Sequence, residues 1–370
     1  MRIVVAVDKF KGSLSAQEAA SYIAAGLHSV DPAIEVVTAP VADGGDGTVD
    51  AAVAAGFDRR EVAVCGPTGE AVQALYARQG GTAVVELANS CGIQLLPGGV
   101  LVPMTSSSRG LGEVMAAALD DGCTRLVVGV GGSASTDGGA GMLTALGARI
   151  LTASGEPVAA GGAGLASVHS VDLSGVHPRL AQVRLELASD VDNPLTGEHG
   201  AAATYGPQKG ASATQVQDLD AALTHFAAVA DPALADLAGA GAAGGAGYAA
   251  LLLGAQLRSG IAVMLEINGF AGRLVGADLV ITGEGSLDAQ SLRGKAPMGV
   301  AQAAHAERIP VVALAGRVVV TAQELHAAHI DTAYALTDIE PDVQACMTNA
   351  GPLLERRAAD LMTDLRRRTQ

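Results

Sequence analysis

The chain has no tryptophan, and aromatic residues make up only 2% of its 370 positions. So few rings leave almost nothing on which nucleobases or sugar faces can stack. Positive charge is scarce as well: 23 Lys and Arg stand against 38 Asp and Glu, a net charge of −15. That balance disfavours nucleic acid and anionic membranes as partners, so an anionic small molecule needs a local cationic pocket. The four cysteines, Cys65, Cys91, Cys123 and Cys346, show no C-x-x-C spacing. Neither a zinc site nor a redox motif is indicated, and a reduced cytosolic setting fits. The N-terminus meets Asp8 and Lys9 too early for a secretory apolar region. No uncharged apolar run reaches the ~18 residues of a membrane span. A soluble, cytoplasmic protein is expected. Also absent are a Walker G-x-x-x-x-G-K-[ST] loop, a kinase H-R-D loop and a G-x-S-x-G elbow.

What is present begins with the lysines. There are only four, and each lies in a glycine-punctuated loop: Lys9 and Lys11 before Gly12, Lys209 before Gly210, and Lys295 after Gly294. A lysine ammonium is a compact point charge, and nearby glycine lets backbone N–H groups approach a ligand. Together they make a phosphate-holding combination. The competing reading is that a rare polar residue merely collects in polar loops.

One unit recurs along the chain: a short apolar run, a glycine-rich polar loop, then an alanine-rich helical pattern. Residues 3–7 lead through 8–13 to a helix from about residue 16, with Ser15 and Glu18 at capping-box spacing. Residues 34–37 lead through 40–47 to a helix ending near Gly56. Residues 126–130 lead through 131–139 to a helix around Met142, and 278–281 through 283–288 to one beginning near Pro297. A further strand over 311–314 ends at Gly316. The alternation predicts α/β architecture with largely parallel sheets, whose ligands bind at the carboxyl ends of strands. Residues 66–81 read instead as strands joined by turns. The resulting division is a discontinuous Rossmann-like domain of residues 1–65 plus 265–370, with a second α/β domain, 66–264, inserted. The arginines at 356, 357 and 366–368 read as the solvated face of a C-terminal helix.

Several loops carry candidate chemistry. Asp43-Gly44-Gly45-Asp46 places carboxylates on a flexible turn past a strand. Asp190 and Asp192 stand in D-x-D spacing, which in extended chain turns both carboxylates the same way. Such pairs suit Mg²⁺, which takes one or two carboxylates plus water and phosphate oxygens. Turn capping by aspartate is the competing reading. Residues 131–139, with Gly131, Gly132, Ser133 and Asp137, can present amides and a helix N-terminus to an anion. Residues 129–134 also mimic a dinucleotide fingerprint, though no ribose-binding carboxylate follows. Residues 239–244 match G-x-G-x-x-G outright, but with no preceding strand they read as close helix packing.

Taken together the loops resemble the glycerate kinase family of bacterial sugar-acid catabolism. The resemblance rests on Asp8-Lys9-Phe10-Lys11-Gly12-Ser13 and Asp43-Gly44-Gly45-Asp46-Gly47-Thr48, then on residues 131–139 and Asp190-Val191-Asp192-Asn193-Pro194. It continues through Gly206-Pro207-Gln208-Lys209-Gly210, Gly283-Glu284-Gly285-Ser286-Leu287-Asp288 and Gly294-Lys295-Ala296-Pro297. Asp46 stands where Glu is expected, and Ser135-Thr136 where Thr-Asn is usual; neither removes a charge or a glycine. The resemblance implies ATP-dependent phosphorylation of D-glycerate, commonly at the 2-hydroxyl, in a cleft between two α/β domains. Transfer to the 3-hydroxyl is the alternative within this chemistry. A homo-oligomer is compatible with it.

Phosphoryl transfer asks a protein mainly to position reactants and neutralise spreading charge. Lys9, Lys11 or Lys295 is expected to meet the ATP phosphates or the glycerate carboxylate, with Lys209 a further candidate. The amides of Gly44, Gly45, Gly131 and Gly132 would cradle oxygens, with Ser13, Ser133, Asp137, Glu284 and Asp288 lining the same loops. Asp190 and Asp192 would hold Mg²⁺. Asp43 would take the hydroxyl proton, with Asp190 the alternative base. Two other classes compete: a nicotinamide-dependent dehydrogenase of a small hydroxy acid, and a non-enzymatic binder of small acids.

Overall fold

The structure is a computed structural model and describes residues 1–292 and 294–369. The fold is α/β. In chain order the strands begin with β1 (Arg2–Val7), β2 (Glu35–Thr38), β3 (Asp58–Cys65), β4 (Ala71–Gln79) and β5 (Thr82–Glu86). They continue with β6 (Arg125–Gly129), β7 (Arg149–Leu151), β8 (Ser170–Asp172), β9 (Arg184–Ala188) and β10 (Gln256–Arg258). The last are β11 (Leu279–Gly283), β12 (Ser286–Leu287), β13 (Val311–Ala315), β14 (Arg317–Val318) and β15 (Thr332–Ala335). The chain divides into two compact units. One comprises Met1–Asp43, Asp50–Gly56 and the described residues of Ser259–Gln370; the other comprises Gly44–Val49 and Phe57–Arg258.

The first unit is built on a wholly parallel sheet of order β15-β13-β11-β1-β2. Its strands are apolar on both faces because helices cover both. Ile3, Val5 and Val7 pack with Ile23 and Leu27 of the helix Ala16–Val30 and with Leu354 and Leu361 of the helix Ala350–Thr369. Val4 and Ala6, one residue out of phase, pack with Val300 and Ala304 of the helix Ala296–Ala306. The crossover after β1 thus lies on one face and the crossover after β11 on the other. That makes the gap between these neighbouring strands the topological switch point. Ser15 and Glu18 form the expected capping box.

The second unit has a mixed six-stranded sheet, β10-β9-β6-β5-β4-β3. Its first four strands are parallel, and β5-β4-β3 form an antiparallel meander. Leu185 and Leu187 face the main core. Between them Glu186 is fully buried on the opposite face, where Arg184, Arg125 of β6 and Arg258 of β10 lie 2.6, 2.8 and 3.1 Å away.

Two local readings change. Residues 239–244 do not serve helix packing: Ala243, Gly244 and Gly245 take positive φ of 52°, 73° and 94°. This left-handed turn docks on the loop before the helix Ala140–Ala145, with the Gly138 N–H donating to the Gly244 carbonyl at 3.0 Å. The C-terminal arginines are not uniformly solvated. The Arg357 guanidinium is 12% exposed, pairs with Asp338 at 2.5 Å and lies 5.3 Å from the Tyr334 ring, while Arg366 pairs with Asp31 at 2.6 Å. The side chain at 368 lies outside the described residues.

Removing Glu186 breaks its charge-assisted hydrogen bonds but leaves arginine side chains that are 19%, 56% and 28% exposed, a loss of about 2 kcal/mol. Glu186→Ala is therefore expected to lower the unfolding free energy by that order in a urea titration. An unchanged midpoint would show the three arginines to be adequately solvated without it.

Candidate functional site

In the second unit the parallel ladders are in step at their carboxyl ends: Glu86 of β5, Gly129 of β6 and Ala188 of β9 lie side by side. The segments beyond them therefore emerge together. Glu86, buried, accepts from the Gly47 and Val49 N–H groups at 3.0 Å each, which fixes the turn carrying Gly44 and Gly45. That turn lies against β6: the Val130 N–H donates to the Gly44 carbonyl at 3.0 Å. A Cβ on Gly131 would stand 2.5 Å from the Gly45 Cα, so the backbone approach demands glycine there. Gly132 is exposed with φ +68°, and its carbonyl accepts from the Ile93 N–H at 2.9 Å. The N–H groups of Gly131 and Gly132 donate to no protein acceptor among the described residues. They are the unspent donors of the loop, at the end of a parallel strand.

Other members of this loop have structural occupations. Asp137 is buried and accepts from the Ser108 N–H at 2.8 Å and the Ser108 hydroxyl at 2.9 Å. It also takes the Gly139 and Gly141 N–H groups at 3.1 and 3.2 Å. The N-terminus of the following helix, only Ala140–Ala145, is thus already capped by a carboxylate. The anion-binding reading of residues 131–139 survives on loop amides and not on a helix dipole. Lys209 is buried and donates to the Ser133 hydroxyl at 2.7 Å and the Ser135 carbonyl at 2.5 Å. Its ammonium braces the loop from beneath, and burial lowers its pKa to about 7 against the pull of Asp137. The buried Ser135 and Thr136 hydroxyl oxygens beside it have no hydrogen-bond partner among the described residues.

Asp190 is half-buried two residues past β9, and Asp192 is exposed. Among the described residues no group of three or more His, Cys, Asp or Glu is placed to hold a metal. Mg²⁺ in general takes one or two carboxylates and completes its shell with water and phosphate oxygens.

In the first unit the carboxyl ends of β1, β2 and β11 carry a second set. Asp8 follows β1 on the face of Val4 and Ala6 and is 8% exposed; its carboxylate accepts the Lys9 N–H at 2.7 Å. Burial, then the charge of Asp43, raise the Asp8 pKa to about 7, with Lys9 opposing and Glu284 adding. Burial likewise raises Glu284, with a Ser291 hydrogen bond and Lys295 opposing, and its buried Oε1 atom has no hydrogen-bond partner among the described residues. Asp288 shapes the next turn, accepting from the Gln290 and Ser291 N–H groups at 2.8 and 3.2 Å. Lys295 is half-buried at the N-cap of the helix Ala296–Ala306. Lys11 is exposed, while the Ser13 N–H closes the loop onto the Phe10 carbonyl at 2.8 Å.

The first unit therefore gathers Lys9, Asp43, Glu284, Asp288 and Lys295. The second gathers Gly44, Gly45, Gly131, Gly132, Ser133, Asp137 and Lys209, with Asp190 on the adjoining strand end. Two residues went unnoticed as site members in the sequence, Asp8 and Glu86. Strand parity was the available signal: each carboxylate ends an apolar strand, and Asp8 does so on a face otherwise filled by Val4 and Ala6.

No helix among the described residues is long and apolar enough to cross a membrane. The model of the glycerate kinase family matches residues 3–366. A glycerate kinase of Bacillus subtilis (strain 168) is 44% identical over 374 aligned positions, covering 99% of this chain and 98% of that protein. A glycerate 2-kinase of Escherichia coli (strain K12) is 42% identical, covering 91% and 90%. Among solved structures, a Salmonella typhimurium LT2 protein assigned as glycerate kinase 2 superposes with a TM-score of 0.85 at 40% identity, covering 100% of this chain and 99% of that one.

Lys209 yields a pH prediction. Its folded pKa of about 7 lies below the ordinary 10.5, so between those values the unfolded chain binds more protons and stability rises with pH. Lys209→Met removes that contribution. The thermal midpoint of the wild type should therefore gain on the variant's as pH rises from about 7 to 10. A constant difference would mean that Asp137 and the two acceptors on Nζ offset the effect of burial.

Proposed function

The chain belongs to the glycerate kinase family, whose members are phosphotransferases, and on that premise we propose that it transfers the terminal phosphoryl group of ATP to the 2-hydroxyl of D-glycerate. The products are 2-phosphoglycerate and ADP. The family removes the ground for a nicotinamide-dependent dehydrogenase. It equally removes a binder without chemistry. The choice of the 2-hydroxyl leans on the Escherichia coli relative, a glycerate 2-kinase; the 3-hydroxyl is the second reading.

The observation that carries the proposal is the pair of N–H groups at Gly131 and Gly132 that meet no acceptor among the described residues, just past β6, whose neighbour β9 leads into Asp190. Oriented amides aimed at phosphate oxygens stabilise developing charge without reorganising during the reaction. Lys295 and Lys9 would supply ammonium groups for the triphosphate or the glycerate carboxylate, with exposed Lys11 a further candidate. In the transfer the glycerate oxygen forms a bond to the γ-phosphorus as the bond to the ADP oxygen breaks, and the hydroxyl proton passes to a base. Asp190 and Asp192 would hold Mg²⁺, which screens phosphate charge when bound. Lys209 and Asp137 act on the loop, not on the substrate.

Incubation with ATP, Mg²⁺ and D-glycerate followed by phosphorus NMR should give the 2-phosphate resonance; a 3-phosphate signal would establish the second reading, and no transfer would reject both. Asp190→Asn should lower kcat about 100-fold or more with folding intact. Lys295→Met should raise the apparent KM for ATP or glycerate. Normal kinetics in either variant would remove that residue from the site.

A further inference from the structure

The reaction needs a group that takes the hydroxyl proton, and Asp43 and Asp190 are the candidates that spacing suggests. The first unit offers a better-placed one. Asp8 and Glu284 are the first residues beyond β1 and β11, so they flank the switch point, where an open parallel sheet leaves its crevice. The Asp8 N–H donates to the Gly283 carbonyl at 2.9 Å, which ties the two strand ends together. On the same face one strand over, Thr282 stands opposite Ala6 with its hydroxyl oxygen fully buried and unpartnered among the described residues. Glu284 presents a buried, unpartnered oxygen at the same edge. Native interiors pair nearly all such atoms, so orphaned oxygens at a strand end point to a ligand that completes them.

We propose that Asp8 is the general base of the reaction: its carboxylate receives the hydroxyl proton of glycerate as the oxygen bonds to the γ-phosphorus, then returns the proton to solvent. The assignment rests on the kinase reading of the same site. Asp43 has a different role. It is half-buried beyond β2, and its negative charge keeps the Asp8 carboxylate basic. The groups that set this balance are Asp43 and Glu284, which raise proton affinity, and Lys9, which opposes them; Lys295 and Asp288 act on Glu284 in turn. A base works best with a pKa near the working pH, and an exposed aspartate falls some three units short of neutrality. Burial beside two carboxylates brings Asp8 to about 7.

The test is the pH dependence of kcat/KM for wild type, Asp8→Asn and Asp43→Asn with ATP and D-glycerate. The wild type should lose activity on the acid side with an apparent pKa near 7. Asp8→Asn, which keeps the size and the Lys9 contact, should cut kcat by about 10²–10⁴-fold and abolish that acid limb. Asp43→Asn should keep the limb but move it to lower pH. An acid limb that persists in Asp8→Asn, or one that disappears in Asp43→Asn, overturns the assignment. Thermal unfolding gives a second readout. The folded pKa of Asp8 is raised above its ordinary 3.8, so its penalty on folding grows as pH rises through that interval. At about pH 8 Asp8→Asn should melt higher than wild type while turning over more slowly. A variant that is slower and also less stable would mark Asp8 as a purely structural carboxylate. If wild type transfers no phosphoryl group to glycerate, the kinase reading itself has failed, whatever the variants do.

Discussion

Parallel strands held in step place their following loops side by side, and every candidate functional group here depends on that register. Glu86, Gly129 and Ala188 are neighbours across three strands of one sheet, as Val7 and Gly283 are across two strands of the other. A slip of one residue would turn each strand's core residues to the opposite face and carry the loops with them. The ladders are protected accordingly. Ile3, Val5 and Val7 fill one side of β1 while Val4 and Ala6 fill the other, so neither face can rotate toward solvent without losing a core.

The second constraint is electrostatic. An acidic chain that handles an anion must concentrate positive potential locally, with four ammonium groups to do it. Lys209 is not available, because its charge is buried beneath residues 131–139. That loop offers amide hydrogens in place of side-chain charge, and amides carry no desolvation penalty comparable to a buried ion's. In the first unit two of the lysines lie among buried and half-buried carboxylates. Burial, and with it the charge of Asp43, raises the pKa of both Asp8 and Glu284, while Lys9 opposes the rise at Asp8 and Lys295 at Glu284.

Local signals in the sequence were legible where local physics decides the outcome. Ser15 and Glu18 announce a helix start because the capping box closes within four residues. The strands at 3–7, 126–130 and 311–314 announce themselves as apolar runs bounded by glycine and charge. What escaped was decided by distant chain. The glycines at 239–244 satisfy a fingerprint, yet their shape is dictated by docking against residues 135–138. Asp137 reads as a loop hydrophile until Ser108, some 30 positions earlier, arrives to share its oxygen. Lys209 looks like a phosphate ligand by spacing alone, and only the packing above it reveals a brace. Arg357 looks solvated until Tyr334 and Asp338 come beneath it. For Asp8 the local pattern did carry the information, since counting by twos from Val4 places it on a buried face.

The central claim is that the carboxylates and lysines at the strand ends of the first unit act together in the proposed phosphoryl transfer. A double-mutant cycle on kcat/KM measures this directly, using Lys295→Met, Asp8→Asn and their combination with D-glycerate and ATP. Groups that stabilise one transition state are strongly non-additive, so the combined loss should fall well short of the product of the single losses. Losses that multiply independently, or a single variant with undiminished kcat/KM, would contradict the account.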